Sequence, residues 1–257
     1  MTNQASAAAP PPDREERTPA VDATQPEISF FVPCYNEERN IGGTLATIAE
    51  AIGTLPHEVL VIDDGSKDGT GDVVRSYMAA HPERPIRFII RGKNQGLGLN
   101  YFKAAFEARG RYYMLVNGDN VEPVETIRAI TALVGKADMV VPNFGRGDKR
   151  PWSRRAISAT FTFITNLLSG NRIGYYNGPV LHLTENVRFW RSETIGYGYQ
   201  AELLCKMLAN GATYVEVVVP NGDREWGSSK AFAPGNFLSV ANSLFHILLR
   251  RITRMTH

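Results

Sequence analysis

The feature that most constrains this chain is an alternation of two hydrophobic periods between residues 28 and 141. Short apolar runs, ISFFVP (28–33), VLVID (59–63), IRFII (86–90), YYMLVN (112–117) and DMVV (138–141), alternate with segments of helical apolar spacing. In the first such segment, 38–53, Ile41, Leu45, Ile48 and Ile52 fall on one helix face, as a helix packed on a sheet requires. Continuous rather than alternating apolar runs are what strands covered on both faces need. The remaining helices are expected over 69–80, 98–108 and 123–134. This rhythm, with its short connections, predicts an α/β fold whose central sheet is mostly parallel and flanked by helices. After residue 142 the rhythm breaks. A basic loop (PNFGRGDKRPWSRR, 142–155) leads to an apolar helix (156–168), a YYNGP turn, a helix (199–210), a strand (213–219) and a Gly/Ser-rich loop.

The ends of the chain read differently. Residues 1–26 carry five of the fifteen prolines and almost nothing bulky and apolar, so burial there cannot offset ordering entropy and a disordered tail is expected. No basic stretch followed by an apolar one marks a secretory signal. No window of 18 or more uncharged apolar residues is present, so no membrane-spanning helix is expected. One domain is expected over 27–234. Residues 235–257 read as an amphipathic helix on a membrane surface, with Arg250, Arg251 and Arg254 at its end; packing on the protein core or on a dimer partner is the alternative. A content of 43% hydrophobic and 21% charged residues excludes collagen-like, coiled-coil and wholly disordered chains;. A net charge of +2 argues against a dedicated nucleic-acid binder;. Two cysteines, Cys34 and Cys205, cannot form a disulfide scaffold or a cysteine-rich metal site; they read as buried reduced thiols, which slightly favours a cytosolic setting.

In open parallel sheets ligands bind beyond the carboxyl ends of the strands. The residues there are PCYNE (33–37), DDGSKDGT (63–70), RGKNQG (91–96) and NGDN (117–120). NGDN offers the oxygen donors that hard divalent cations prefer, the Asp119 carboxylate and the Asn117 carbonyl;. RGKNQGLG lacks the third glycine of a dinucleotide fingerprint, because position 101 is Tyr101;. DREWGSSK (223–230) sets Arg224 and Lys230 around Gly227, Ser228 and Ser229, cations and hydroxyls suited to phosphate oxygens. His182 reads as a packed side chain rather than a catalyst.

In order and spacing, FVPCYNEERNI, VIDDGSKDGT, GKNQGLG, LVNGDN, GYGYQAELL and DREWGSSKAF resemble the family 2 glycosyltransferases of GT-A fold. The last two segments resemble in particular the polyprenyl-phosphate sugar transferases of the dolichol-phosphate mannosyl synthase type. The resemblance implies a Rossmann-like sheet and an inverting transfer of a sugar from a nucleotide diphosphate-sugar to a dolichyl or undecaprenyl phosphate. It places Pro33, Tyr35, Glu37, Ile62 and Asp64 with Asn117, Gly118 and Asp119 around the nucleotide-sugar. It makes Asp119, assisted by Asn117, the ligand of Mg²⁺ or Mn²⁺; Asn117 departs from the family, which usually has Asp there. Arg224, Ser229 and Lys230 would bind phosphates, and Arg146 the acceptor phosphate. Glu202 would be the general base for a hydroxyl acceptor, or a positioning or structural residue if the acceptor is already an anionic phosphate. The implied partners are a nucleotide-sugar, a polyprenyl phosphate and a membrane surface, on its cytoplasmic face, with no nucleic acid. A hydroxyl acceptor on a glycan or glycolipid, or a degenerate nucleotide-binding homologue, are the alternatives.

Overall fold

The apolar run at the start of the domain becomes β2 (Ile28–Cys34), near the middle of an eight-stranded sheet. The computed structural model describes residues 13–22, 25–148, 150–192, 196, 198–220, 222 and 234–255. β2 lies between β3 (His57–Asp63) and β5 (Tyr112–Leu115), and β4 (Ile86–Ile90) flanks β3; all these pairings are parallel. Each crossover carries a helix, α1 (Ile41–Ile52), α2 (Thr70–Ala80) and α3 (Leu97–Glu107). α4 (Val124–Thr131) follows β5. On β2, Phe30 and Val32 join a core with Ile41, Leu45 and Ile48 of α1, while Phe31 points to a second core with Tyr101 of α3. Both faces are covered, which is why the strands read as continuous apolar runs.

The second half of the sheet is mixed. β6 (Met139–Asn143) does not pair with β5. The short β7 (Leu181–Leu183) lies between them, antiparallel to both, and β8 (Tyr214–Val218) pairs parallel to β6 at the edge. β5 and β6 therefore still end on the same edge of the sheet. Three residues of β7 and the six of α6 (Thr184–Phe189) are too short to show a period, and the sequence reading misses both.

At the opposite edge the structure corrects the expectation of a disordered tail to residue 26. β1 (Arg14–Arg17) pairs antiparallel with β4. Charge holds this polar strand, not apolar burial. Glu15 bonds Arg87 at 2.7 Å, Glu16 bonds Arg75, and Asp13 bonds Arg91 at 2.6 Å. Arg91 also bonds Glu107 at 2.9 Å, so it serves the fold and not the site.

α5 (Trp152–Ser169), α7 (Tyr199–Ala209) and α8 (Pro234–Met255) pack together. Two glycines let α8 approach closely: a Cβ on Gly196 would lie 1.8 Å from Ser239 Oγ, and one on Gly198 2.2 Å from Ser243 Oγ. Ser243 and Ile247 are buried in the contact. Arg251 Nη1 donates to the Leu167 carbonyl at 2.5 Å, satisfying a terminal acceptor of α5;. Arg250 bonds Glu202 of α7. These two arginines thus bind protein, whereas the sequence reading set them near headgroups. α8 still leaves Leu238, Phe245, Leu249 and Ile252 exposed, and α5 exposes Trp152, Ile157, Phe163 and Leu167. No described helix is long and apolar enough to cross a membrane. Cys34 and Cys205 are free and buried, as expected, and burial pushes both thiols up, Cys205 to about 11.

Candidate active site

Because β4, β3, β2 and β5 are parallel neighbours, the loops after them meet along one edge. The first two are joined by their polar backbone. Asn36, in the left-handed region at φ +58°, donates its N–H to Ser66 Oγ and accepts Lys67 N–H at 2.8 Å. The Glu37 N–H donates to Thr70 Oγ1, and the Glu37 carboxylate accepts Asn40 Nδ2 at 2.7 Å. Pro33, Tyr35 and Glu37 are half-buried along this rim.

Asp63 accepts the Ser66 N–H at 2.8 Å and closes the DDGS turn. Asp64, only 5% exposed, accepts the N–H groups of Gln95 and Gly96, each at 2.8 Å, one on each oxygen. Gly65, at φ +82°, brings the turn against Lys93 and Asn94, where a Cβ would lie 3.2 Å from backbone atoms. Asp64 therefore organises the wall of the cleft by holding the 93–96 loop. Ile62, expected at the nucleotide, has no exposed surface and packs inside the core with Leu60 and Tyr101. Inward-facing positions of a covered strand cannot reach a ligand in the cleft, so Ile62 supports the site only through packing.

The NGDN turn sits at the end of β5. Gly118 donates its N–H to the Pro33 carbonyl at 3.1 Å, and a Cβ there would lie 2.6 Å from that oxygen, so only glycine allows this approach;. Asn120, at φ +56°, accepts the Thr47 hydroxyl at 3.1 Å and fixes the turn on α1. Asp119 is buried beside Glu122, a residue the sequence reading does not single out. Glu122 accepts two hydrogen bonds from Asn117, one from Nδ2 at 2.6 Å and one from the backbone N–H at 3.1 Å. Burial first, then the Asp119 charge, push the Glu122 carboxyl up to about 8, against the pull of the Asn117 bonds. Two carboxyl groups and a carboxamide oxygen crowded at a desolvated strand end form a donor set that fits a hard divalent cation at Asp119 and Asn117. The one available signal for Glu122 was a carboxylate three residues beyond Asp119.

Beyond β6 the chain turns through Gly145–Gly147 and enters α5. A cleft of about 680 Å³ opens there, lined by Phe144, Arg150, Trp152, Arg155, Ser158 and Tyr175 among others. Arg150 is paired with Asp148 at 2.8 Å and held against the rings of Phe144 and Tyr175, 4.8 and 5.1 Å from their centroids. It also donates to Tyr175 Oη at 3.0 Å. Arg150 is thus a fixed planar cation in the cleft wall, with the Ser158 hydroxyl 3.4 Å from Nη1;. Arg146 lies in the preceding turn, its side chain outside the described residues.

Glu202 is corrected as an open candidate base. It has 0% exposure, accepts Ser192 Oγ at 2.8 Å, and pairs with Arg250 at 3.3 Å. Gln200 is buried and donates to the Gly178 carbonyl. Both tie α7 to its neighbours. Arg224, Ser229 and Lys230, with Trp226, lie outside the described residues. Gly222, just before them, packs on the segment that follows the NGDN turn, where a Cβ would lie 2.2 Å from the Val121 carbonyl. Thr126 holds the Pro220 carbonyl at 2.6 Å.

A Rossmann-like sheet with such a turn at its carboxyl edge is the GT-A arrangement. Residues 29–189 match Glycosyl transferase family 2, and the chain belongs to that family and is a glycosyltransferase. It is 30% identical over 239 residues to a polyprenol monophosphomannose synthase of Mycolicibacterium smegmatis, covering 86% of this chain and 88% of that protein. It is 26% identical over 221 residues to an undecaprenyl-phosphate mannosyltransferase of Micrococcus luteus, covering 79% and 86%. Among solved structures, the Pyrobaculum calidifontis mannosyltransferase in complex with GDP-Man and Mn²⁺ superposes with a TM-score of 0.62 at 17% identity, covering 90% of this chain and 65% of that one. The Mycobacterium tuberculosis glucosyl-3-phosphoglycerate synthase in complex with Mn²⁺, UDP and phosphoglyceric acid gives 0.65 at 17%, covering 90% and 80%.

Proposed function

We propose that this chain transfers a hexosyl group, with inversion, from a nucleoside diphosphate sugar to a polyprenyl phosphate at a membrane surface. The observation that carries this is the similarity to polyprenol monophosphomannose synthase, which runs through nearly the full length of both chains. The acceptor phosphate oxygen forms a bond to the anomeric carbon as the bond from that carbon to the diphosphate breaks. The nucleoside diphosphate leaves with the electron pair. An anionic phosphate needs no base, and this suits a site whose candidate base, Glu202, is paired with Arg250.

Asp119 and Asn117 would hold the divalent cation, which when bound neutralises charge on the leaving diphosphate. Arg150, Arg155 and Ser158 line the cleft into which the acceptor phosphate fits, and the fixed Arg150 orients it;. The exposed apolar residues of α5 and α8 (Trp152, Phe163, Leu167, Phe245 and Leu249 among them) support a surface resting in lipid, beside the cleft that Trp152 lines;. Arg224, Ser229 and Lys230 remain candidates for the phosphates, and Arg146 for the acceptor.

The test is a panel of GDP-mannose, UDP-glucose and UDP-N-acetylglucosamine with a short polyprenyl phosphate and Mg²⁺ or Mn²⁺, following nucleotide release and lipid-linked product. Release that depends on the lipid phosphate supports the reading. Equal release onto hydroxyl acceptors, or nucleotide binding without turnover, overturns it.

A further inference from the structure

The site carries an asparagine where the resemblance leads one to expect an aspartate, and that asparagine is half-buried and held by a neighbouring carboxyl group. Both of its polar hydrogens on this side are taken by one carboxylate: Asn117 Nδ2 donates to Glu122 Oε1 at 2.6 Å, and the Asn117 N–H donates to Glu122 Oε2 at 3.1 Å. Glu122 is 8% exposed and stands beside the buried Asp119.

A carboxamide at a metal site is ambiguous. Its oxygen can ligate a cation, and its NH₂ group cannot. Each Glu122 oxygen meets one N–H group of Asn117, so the NH₂ group faces Glu122 and the carbonyl oxygen is left for the other side;. We propose that Glu122 is the positioning residue of the metal turn: its two oxygens hold the backbone N–H and the Nδ2 group of Asn117 and so fix the side-chain orientation in which Oδ1 serves the cation beside Asp119. This rests on the metal role assigned to Asp119 and Asn117 above.

The pairing has a built-in test, because its polarity can be reversed. In Asn117→Asp with Glu122→Gln, the glutamine carbonyl accepts the backbone N–H of residue 117 and its NH₂ donates to the new carboxylate. Every hydrogen bond is kept, and the side chain at position 117 again presents an oxygen to the cation. In Glu122→Gln alone, the glutamine meets two donors with one acceptor, so an NH₂ group faces an N–H and the orientation of Asn117 is lost.

The experiment is Mn²⁺ titration of the full chain with GDP present, reading free Mn²⁺ by its electron paramagnetic resonance signal, with thermal unfolding of each variant. Glu122→Gln is expected to weaken Mn²⁺ binding at least ten-fold, and the double variant to return to within three-fold of the unaltered protein. If Glu122→Gln does not fold, the comparison is between the double variant and Asn117→Asp alone, in which two carboxylates face one another; the double variant is expected to bind Mn²⁺ more tightly. Unchanged affinity in folded Glu122→Gln, or a folded double variant that binds no better than the single ones, overturns the proposal. An unaltered protein that binds no Mn²⁺ refutes instead the metal role on which it rests.

Discussion

Removing the cation from the Glu202–Arg250 pair separates a structural glutamate from a catalytic one. Glu202 has no exposed surface and Arg250 is about one-quarter exposed, with 3.3 Å between Oε1 and Nη2. Arg250→Met keeps the stem that packs between α7 and α8 and leaves the carboxylate with Ser192 as a hydrogen-bond donor. Breaking a fully buried pair costs about 3–5 kcal/mol. The exposure of Arg250 and the retained serine lower that to about 2–4 kcal/mol. For a domain of this size each kcal/mol moves Tm by about 2–4 °C, so a loss of roughly 4–16 °C is expected. The assay is urea unfolding of the single variants and of Glu202→Gln/Arg250→Met, taken as a double-mutant cycle. Glu202→Gln removes the buried charge, so in its background Arg250→Met should cost less than about 1 kcal/mol. Turnover with a lipid-phosphate acceptor should stay within a few-fold in folded Glu202→Gln. Additive effects on stability, or a hundred-fold loss of turnover at unchanged stability, would refute the structural role and make Glu202 a base.

Other outcomes follow from single contacts. His182 is fully buried on β7, and neither ring nitrogen bonds another described residue; burial pulls its pKa down to about 3 from 6.5. The unfolded chain takes up a proton across that window and the native state does not. The contribution is therefore complete above pH 6.5 and is lost as pH falls, by about 4–5 kcal/mol at pH 3;. His182→Leu should flatten stability against pH below 6.5, and a curve parallel to the unaltered protein would count against this. Gly118→Ala places a Cβ 2.6 Å from the Pro33 carbonyl oxygen; it should cost about 1–3 kcal/mol and weaken Mn²⁺ binding, whereas unchanged affinity would show that the turn yields freely. Arg150→Lys keeps the charge but loses the fork toward Asp148 and the ring contacts. It should raise KM for the lipid phosphate at least about five-fold while leaving donor KM alone; the reverse split would move Arg150 to the donor side.

The parallel half of the sheet was legible because its strands are covered on both faces. Phe30 and Phe31 point to opposite cores, so the runs stand out from the helical periods between them. The loops that follow adjacent strand ends were legible for the same reason. What escaped has physical causes. β7 and α6 are too short for a hydrophobic period to repeat clearly;. β1 is held by Arg75, Arg87 and Arg91, and pattern reading sees only a polar segment. Ile62 belongs to a motif, yet the alternation of its strand turns it into the core. Glu202 was legible as a carboxylate on a helix, but its partner Arg250 is 48 residues away in sequence. Glu122 was passed over because the significance of a carboxylate near Asp119 appears only when its bonds to Asn117 are seen.

The most direct test is the identity and anomeric configuration of the product made from an α-linked nucleotide sugar, a short polyprenyl phosphate and Mn²⁺. A β-linked polyprenyl-phosphate sugar, absent when the lipid phosphate is replaced by the free polyprenol, is the predicted result. An α-linked product, or transfer to the polyprenol hydroxyl, would contradict the account.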